Sequence, residues 1–483
     1  MDVILWDTRR RNVSKDFAGG MGVGIYHGEG GIRGRIIRSF YLRDRRPVAL
    51  SFAYLAAIFH KLGHTVRYCT EQVPPKADLY VFLPSLLSLD YELQIAHKLR
   101  QQQPRVPLLI VGPLVHAVPE EFEGLEATLV RGEPEQLYWR LDEVLAHGPG
   151  VVDVGSVVEL DELPFPDWSV FPYKKFRIGY DFSQFPTAFV QHSRGCTFRC
   201  NYCPYILVEN RTRFRSPESV AEEIHRNCVD FGFRSFKFRD PLFGVKQQQV
   251  FRLADLLQRL PRKVQFSVES HINLLRPQVL KRLREVGLTS VTVGVERPDD
   301  SVLVRHKRSP IRDDKQREFV ETCRRLGIRT VAGFMIGFPD DTEQSIRAVL
   351  RYAKSLNPTF ANFNVVTPYP GTEFFEHMRD EIVDRNFAHY DVYTPVLRYQ
   401  HLSLDQVKQW HAKCFTRFYF RWEWLRDNGP IVWPTLGRLL RLFSRQESLF
   451  NKSRPTQTTA TASSNTVPDP QELTSNELKN KAA

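Results

Sequence analysis

The sequence predicts an α/β protein: two successive parallel-sheet domains, then a helical region and a polar tail. Two observations carry this. Short apolar runs alternate with helical patterns from Val3 to Gly148, and the alternation resumes more regularly from Ala188 to Glu376. Strand and helix in alternation build parallel sheets covered on their faces. At 483 residues the chain is also too long for one ordinary core. The expected division is a Rossmann-like doubly wound domain over 1–149, a linker over 150–186, a barrel over 187–384, a helical C-terminal region over 385–450 and a disordered tail over 451–483.

In the first domain the runs are "VILW", "TVRYC", "DLYVFL", "VPLLIVG" and "ATLVRGE", with "ALSFAYLAAIFHKLG", "YELQIAHKLRQQ" and "EQLYWRLDEVLA" as helices between them. One stretch stands apart. The glycine-rich "AGGMGVGIYHGEGGIRG" at 18–34 reads as a long mobile loop and lacks the spacing of a dinucleotide fingerprint. The linker, "ELPFPDWSVFPYKKFRIGYDFSQFP", has neither helical nor strand periodicity and is expected to pack through Trp168 and its phenylalanines.

The second domain offers six strands, "AFVQHS", "SFKFRD", "VQFSVES", "SVTVGVE", "RTVAGFMIGF" and "FANFNVVTP". Five helical segments separate them, the first capped by Ser216 before Pro217. Such units suit a partial (β/α)6 barrel, smaller than the closed eight-unit form. Beyond Asp384 come the helical "LSLDQVKQWHAKCFTRFYFRWEWLRDN" and "WPTLGRLLRLFSR", and the tail from Asn451 has no aromatic residue with which to bury a core.

Bulk properties narrow the function. Seven cysteines form no paired framework and the N-terminus lacks the order of a signal peptide, which predicts a cytoplasmic protein. No apolar run approaches bilayer-crossing length. The net charge of +12 is spread along the chain and by itself decides little between a nucleic-acid and an anionic-membrane partner; no nucleic-acid partner is expected, since the chain ends in helices and a polar tail rather than a basic strand-rich module. Trp433, Leu439, Leu440 and Phe443 beside Arg438, Arg441 and Arg445 are compatible with peripheral contact on an anionic membrane, or with a helix closing the barrel bottom.

The chemistry concentrates in "SRGCTFRCNYCPY". Cys196, Cys200 and Cys203 are spaced Cys-x3-Cys-x2-Cys after the first barrel strand, at the face where loops build active sites. Structural zinc wants four ligands, commonly two Cys-x2-Cys pairs, and no second pair exists. A 4Fe-4S cluster offers each of four irons to a thiolate, so three cysteines leave one iron open to a substrate or cofactor.

This loop, with Tyr202 before the third cysteine, resembles that of the radical S-adenosylmethionine (SAM) enzymes. So do "RDPLF", "VESHIN", "VGVER", "IGFPDDT" and "TPYPGTEFF" at the ends of successive strands. The resemblance implies that Cys196, Cys200 and Cys203 hold the 4Fe-4S cluster and that SAM chelates the open iron and is cleaved to a 5'-deoxyadenosyl radical. It makes Asp240 a candidate for the SAM amino group, Glu269 and Glu296 for the ribose or amino acid part, Tyr202 for the adenine side, and Gly294 a strand-end contact. "RDP" replaces the Gly-Gly-Glu pattern of many members, and either glutamate has the alternative of a buried salt bridge with a barrel arginine such as Arg239.

The first domain resembles the cobalamin-binding domain of one large radical SAM subclass, with Ser85, Gly112, Pro113, Gly132 and Glu133 at the strand ends where a flat cofactor would lie. The Asp-x-His-x-x-Gly motif is absent, so no protein histidine is expected below the cobalt. A domain that merely packs on the barrel is the alternative. The implied enzyme is a cobalamin-dependent methyltransferase acting at an unactivated carbon of a small-molecule or lipid-like substrate, reduced by a donor such as flavodoxin or ferredoxin. Cobalamin-assisted cyclisation, oxidation or rearrangement is the alternative chemistry, and a non-catalytic cobalamin or cluster sensor the alternative class.

Overall fold

The computed structural model describes residues 1–8, 13–41, 47–178 and 186–429. The expected helix around Trp433 and the expected tail lie outside the described residues.

The first sheet is all parallel, with strands β1 (Asp2–Trp6), β2 (Thr65–Cys69), β3 (Leu79–Phe82), β4 (Leu108–Ile110), β5 (Thr128–Gly132) and β6 (Gly150–Gly155) in the order β2-β1-β3-β4-β5-β6. The chain reverses direction across the sheet between β1 and β3, the place where doubly wound sheets open a crevice. β3 and β4 are buried on both sides, which their unbroken apolar runs require. β6 was not expected. It extends the first sheet into the range read as linker, because "GVVDVG" buries only its second valine and Val154 and so shows no continuous apolar run.

The second sheet takes β7 (Thr187–Val190), β10 (Ser235–Phe238), β11 (Gln265–Ser270), β12 (Leu288–Glu296), β13 (Arg329–Ile336) and β14 (Phe360–Val365), all parallel, in the order β14-β13-β12-β11-β10-β7. A two-stranded antiparallel hairpin, β8 (Ser193–Arg194) and β9 (Arg213–Phe214), stands between β7 and the first helix. That helix, Pro217–Asp230, begins as expected: the Ser216 side chain accepts from the Ser219 amide and Pro217 opens the first turn. Neighbouring strands of this sheet stay in near-regular register except for a slip in β11 between Phe266 and Ser267 and one in β12 between Gly294 and Glu296.

The glycine-rich segment is ordered in part. Ser14 and Val23 pair as an antiparallel bridge, and a helix begins at Gly31, inside the stretch read as loop, and runs to Tyr41. Between them the chain lies across both domains. Leu86 donates to the Met21 carbonyl at 2.9 Å, Tyr369 donates to the Gly22 carbonyl at 3.5 Å, and a Cβ on Gly19 would sit 2.6 Å from the Pro204 carbonyl oxygen. Residues 13–24 are therefore a strap joining the first sheet to the cysteine loop. Trp168 is fully buried against Phe171, Phe176 and Phe233, as its composition predicted.

Candidate active site

The loop 195–212 carries the three cysteines and is closed at its base by the β8–β9 hairpin, where Ser193 faces Phe214 and Arg194 faces Arg213. Gly195 turns the chain out of β8 with φ +79°, and a Cβ there would lie 2.3 Å from the Arg211 carbonyl oxygen. Only glycine fits that corner. The loop is tied from outside as well: the Asn201 amide donates to the His306 carbonyl at 3.2 Å, and the Phe374 amide to the Asn201 carbonyl at 3.0 Å. Cys200 is buried and Cys196 and Cys203 largely so, and all three are free. Burial raises all three thiols, Cys203 to about 12.

The donor set fits an iron–sulfur cluster. Three soft thiols on one short loop, none of them in a disulfide, are the donors such a cluster takes.

Asp240, fully buried, accepts from the His192 amide at 2.9 Å and from the Ser193 hydroxyl at 2.6 Å. Both its oxygens hold the chain that enters the cysteine loop. Glu269 stands 3.0 Å from an Arg239 guanidinium nitrogen and 3.2 Å from the Lys237 ammonium, so the salt bridge foreseen as its alternative is formed. Arg239 reaches on to Asp16 of the strap at 2.5 Å and stacks over Phe17 with 4.3 Å to the ring centre. Neither Asp16 nor Tyr205, 3.4 Å from Arg239, carried a sequence signal.

Glu296 ends β12 in the left-handed region, φ +67°, at the register slip. A non-glycine residue held there is backbone strain of about 1 to 3 kcal/mol, and such strain collects at functional sites. A Cβ on Gly294 would lie 2.1 Å from Glu296 Oε1, so Gly294 is the space that the glutamate occupies. Glu296 pairs with Arg308 at 3.4 Å rather than with Arg239. Burial raises its carboxyl, against the opposing pull of Arg308. Tyr202 is largely buried, its hydroxyl without a hydrogen-bond partner among the described residues. His271 packs on Phe198, ring centres 4.8 Å apart, and burial depresses it to about 4 with help from Arg308.

Across from the cysteine loop lie the strand ends of the first sheet. A cavity of about 210 Å³ is lined by Gly112, Pro113, Gly132 and Glu133 on that side, by Arg194, Tyr205 and Arg239 of the barrel, and by Lys15, Gly19 and Gly20 of the strap. Four of the five residues expected at the cobalamin crevice are thus together. Ser85 does not line the cavity. It is fully buried beneath the strap, its amide on Glu92 at 2.7 Å and its hydroxyl without a partner among the described residues.

Glu133 has further duties, with both oxygens 2.7 Å from Arg213, one 3.4 Å from Arg194, and the Val157 amide at 2.8 Å. It docks the first domain onto the hairpin that carries the cysteine loop. Gly132, φ +119°, is required because a Cβ would meet the Gly155 carbonyl oxygen at 2.3 Å. Lys15, also missed, is buried between Glu92 at 2.6 Å and Asp7 at 3.2 Å and donates to the Leu83 carbonyl at 2.6 Å. The open strand ends and their glycines fit the edge of a flat cofactor.

Residues 190–353, most of the second sheet and its cysteine loop, match the Radical SAM superfamily. More particularly, its two-sheet plan is similar to that of solved cobalamin-dependent radical SAM enzymes. It is 26% identical, over 82% of this chain and 88% of the relative, to an uncharacterized methyltransferase of Pyrococcus horikoshii. It is 24% identical to the anaerobic magnesium-protoporphyrin IX monomethyl ester cyclase of Cereibacter sphaeroides, over 76% of this chain and 66% of that enzyme. The hopanoid C-3 methylase of Methylococcus capsulatus is 26% identical over 72% of each chain. Among solved structures, the radical SAM methyltransferase TsrM of Kitasatospora setae, with cobalamin and a [4Fe-4S] cluster bound, superposes with a TM-score of 0.54 at 14% identity, over 76% of this chain and 82% of that one. That likeness is one of fold.

Proposed function

We propose that the chain is a cobalamin-dependent radical SAM methyltransferase acting at an unactivated carbon of a small molecule. One observation carries the reading: the cysteine loop and the strand ends of the first sheet open into the same cavity, Gly195, Pro204 and Tyr205 on one side and Gly112, Pro113 and Gly132 on the other. An enzyme that needs two cofactors to act on one substrate must bring their sites together.

When bound, the cluster and cobalamin would supply an electron that cleaves SAM to a 5'-deoxyadenosyl radical and a carrier for the methyl group. The protein's own tasks follow from its residues. Cys196, Cys200 and Cys203 hold the metal, and Asp240 fixes the chain entering their loop through His192 and Ser193. Glu296, with Gly294 making room for it, is a negative group beside the loop for the polar end of SAM. Glu269 keeps Arg239 oriented between barrel and strap. Tyr202 offers an unpartnered hydroxyl at the nucleoside side. Gly112 and Pro113 give the corrin a backbone surface without projecting side chains, and the strap excludes water from the space between the domains. A one-electron donor of the flavodoxin or ferredoxin kind completes the system.

Among the described residues no helix is long and apolar enough to cross a membrane. Relatives named for hopanoid and protoporphyrin substrates favour an extended, largely apolar substrate here. The test is anaerobic reconstitution with iron, sulfide and cobalamin, followed by product analysis with SAM and metabolites that accumulate on gene deletion. Methylation yields S-adenosylhomocysteine and 5'-deoxyadenosine in comparable amounts. Deoxyadenosine without S-adenosylhomocysteine would leave the radical chemistry and replace methyl transfer by cyclisation, oxidation or rearrangement.

A further inference from the structure

Arg308 belongs to "VRHKRSP", between β12 and the helix Asp313–Arg325, in a run of basic residues that reads as a solvated surface. It is instead turned inward, its side chain 12% exposed. One guanidinium nitrogen donates to the Gly294 carbonyl at 3.1 Å and stands 3.4 Å from Glu296 Oε1. The guanidinium also lies 5.6 Å from the centre of the Phe198 ring, inside the cysteine loop, and its charge lowers the Cys200 thiol against the effect of burial. A single planar cation thus touches the aromatic residue between the first two cysteines and the strained carboxylate of β12, and its field reaches the middle cysteine.

We propose that Arg308 is a positioning residue for the cluster: it fixes Glu296 relative to the cysteine loop and raises the reduction potential of the iron–sulfur centre. The proposal rests on the cluster reading above. The physics is that of a fixed charge in a poorly solvated place. Arginine stays protonated under all working conditions, and a fixed positive charge against the loop that holds the cluster stabilises the extra electron of the reduced state. Glu296, 14% exposed, lies on the other side of the same guanidinium and works against it. The two residues form a pair with opposite effects on the electron, and Arg308 acts on the Cys200 thiol more strongly than Glu296 does. Several acceptors at different angles need the guanidinium fork; a lysine ammonium supplies the charge without the geometry.

The experiment is a dithionite titration of the reconstituted protein without SAM, followed by electron paramagnetic resonance, with iron and sulfide content measured alongside. Arg308→Gln is expected to shift the midpoint to more negative values, Glu296→Gln to more positive values, and Arg308→Lys to lie between Arg308→Gln and the parent. An arginine with only a structural role would change cluster content and not produce shifts of opposite sign. If Arg308→Gln holds no cluster, Glu296→Gln decides, because it leaves Arg308 unopposed: a midpoint that does not rise overturns the proposal. Cluster-loaded variants with the parent's midpoint overturn the role of Arg308 alone. A parent chain that takes up no iron and sulfide removes the cluster reading and the proposal with it.

Discussion

The two sheets finish their strands in opposite ways. In the first, the chain leaves β3, β4 and β5 through Leu83, Gly112–Pro113 and Gly132, which face the cavity with Glu133 and Glu135 beyond them. In the second, it leaves β10, β11 and β12 through Arg239–Asp240, Glu269 and Glu296, of which Arg239 pairs with Glu269, Asp240 holds His192 and Ser193, and Glu296 pairs with Arg308. Small residues let a large flat ligand approach the backbone, whereas fixed charges in a poorly solvated mouth orient a small polar one. The difference teaches that the first sheet brings glycine and proline to its strand ends at the cavity, while the second gathers fixed charges about the cysteine loop.

The largest effect separates the two sides outright. Cys200→Ala removes one of three ligands from the charged side and leaves the first sheet untouched. SAM cleavage to 5'-deoxyadenosine is expected to fall by at least about a thousandfold, a barrier increase of about 4 kcal/mol or more, while the corrin absorbance of added cobalamin stays with the protein on gel filtration. Loss of both together would mean that the sides are not independent. Next in size is the joint between them. Glu133→Ala leaves Arg213 buried without its carboxylate, while Arg194 keeps Glu135, and breaking such a pair costs about 3 to 5 kcal/mol. Urea unfolding reads it, and the companion Glu133→Leu/Arg213→Met is expected to recover much of the loss.

A smaller effect tests the strap. Gly19→Ala meets both a left-handed backbone, φ +64°, and the Pro204 carbonyl, whereas Gly63→Ala meets only the backbone cost, φ +81° with open space around it. Expected losses are about 2 to 3 kcal/mol for the first and about 1 kcal/mol for the second. Equal losses would mean that the strap yields without consequence to the cysteine loop.

How much of this was legible in the sequence depends on what each residue answers to. All six barrel strands and the cysteine loop could be read, because their patterns are local: a buried strand is a run of apolar residues, and three thiols in eight positions are visible in any register. β6 was not, since an edge strand half in solvent loses the apolar signature. The partners of the glutamates followed the same divide. Glu269 pairs with Arg239, two strand ends apart by one step of the sheet, as sequence order suggests. Glu296 pairs with Arg308, which sits among surface-like basic residues and turns inward only because the slip in β12 opens a place for it. Lys15 and Asp16 were invisible for a related reason: their partners, Glu92 and Arg239, lie 77 and 223 residues away.

The smallest effect is a titration on the charged side. His271 is neutral in the folded protein, held to about 4 by burial and by the Arg308 charge, against an ordinary 6.5. The folded state therefore binds fewer protons than the unfolded one between those values. The contribution is fully present above 6.5 and is lost as pH falls toward about 4. Between pH 7 and pH 5.5 the linkage amounts to about 1 kcal/mol. The urea midpoint of the metal-free protein is expected to fall over that interval, and His271→Gln, which cannot charge, is expected to remove that share of the slope while leaving the rest. Because Phe198, under the His271 ring, lies inside the cysteine loop, loading with iron and sulfide is expected to flatten the same slope. A histidine on the glycine-lined side gives the contrast. His116, lowered by burial, accepts from the Gly132 amide at 2.9 Å, and its share of the slope is expected to persist after iron and sulfide are added.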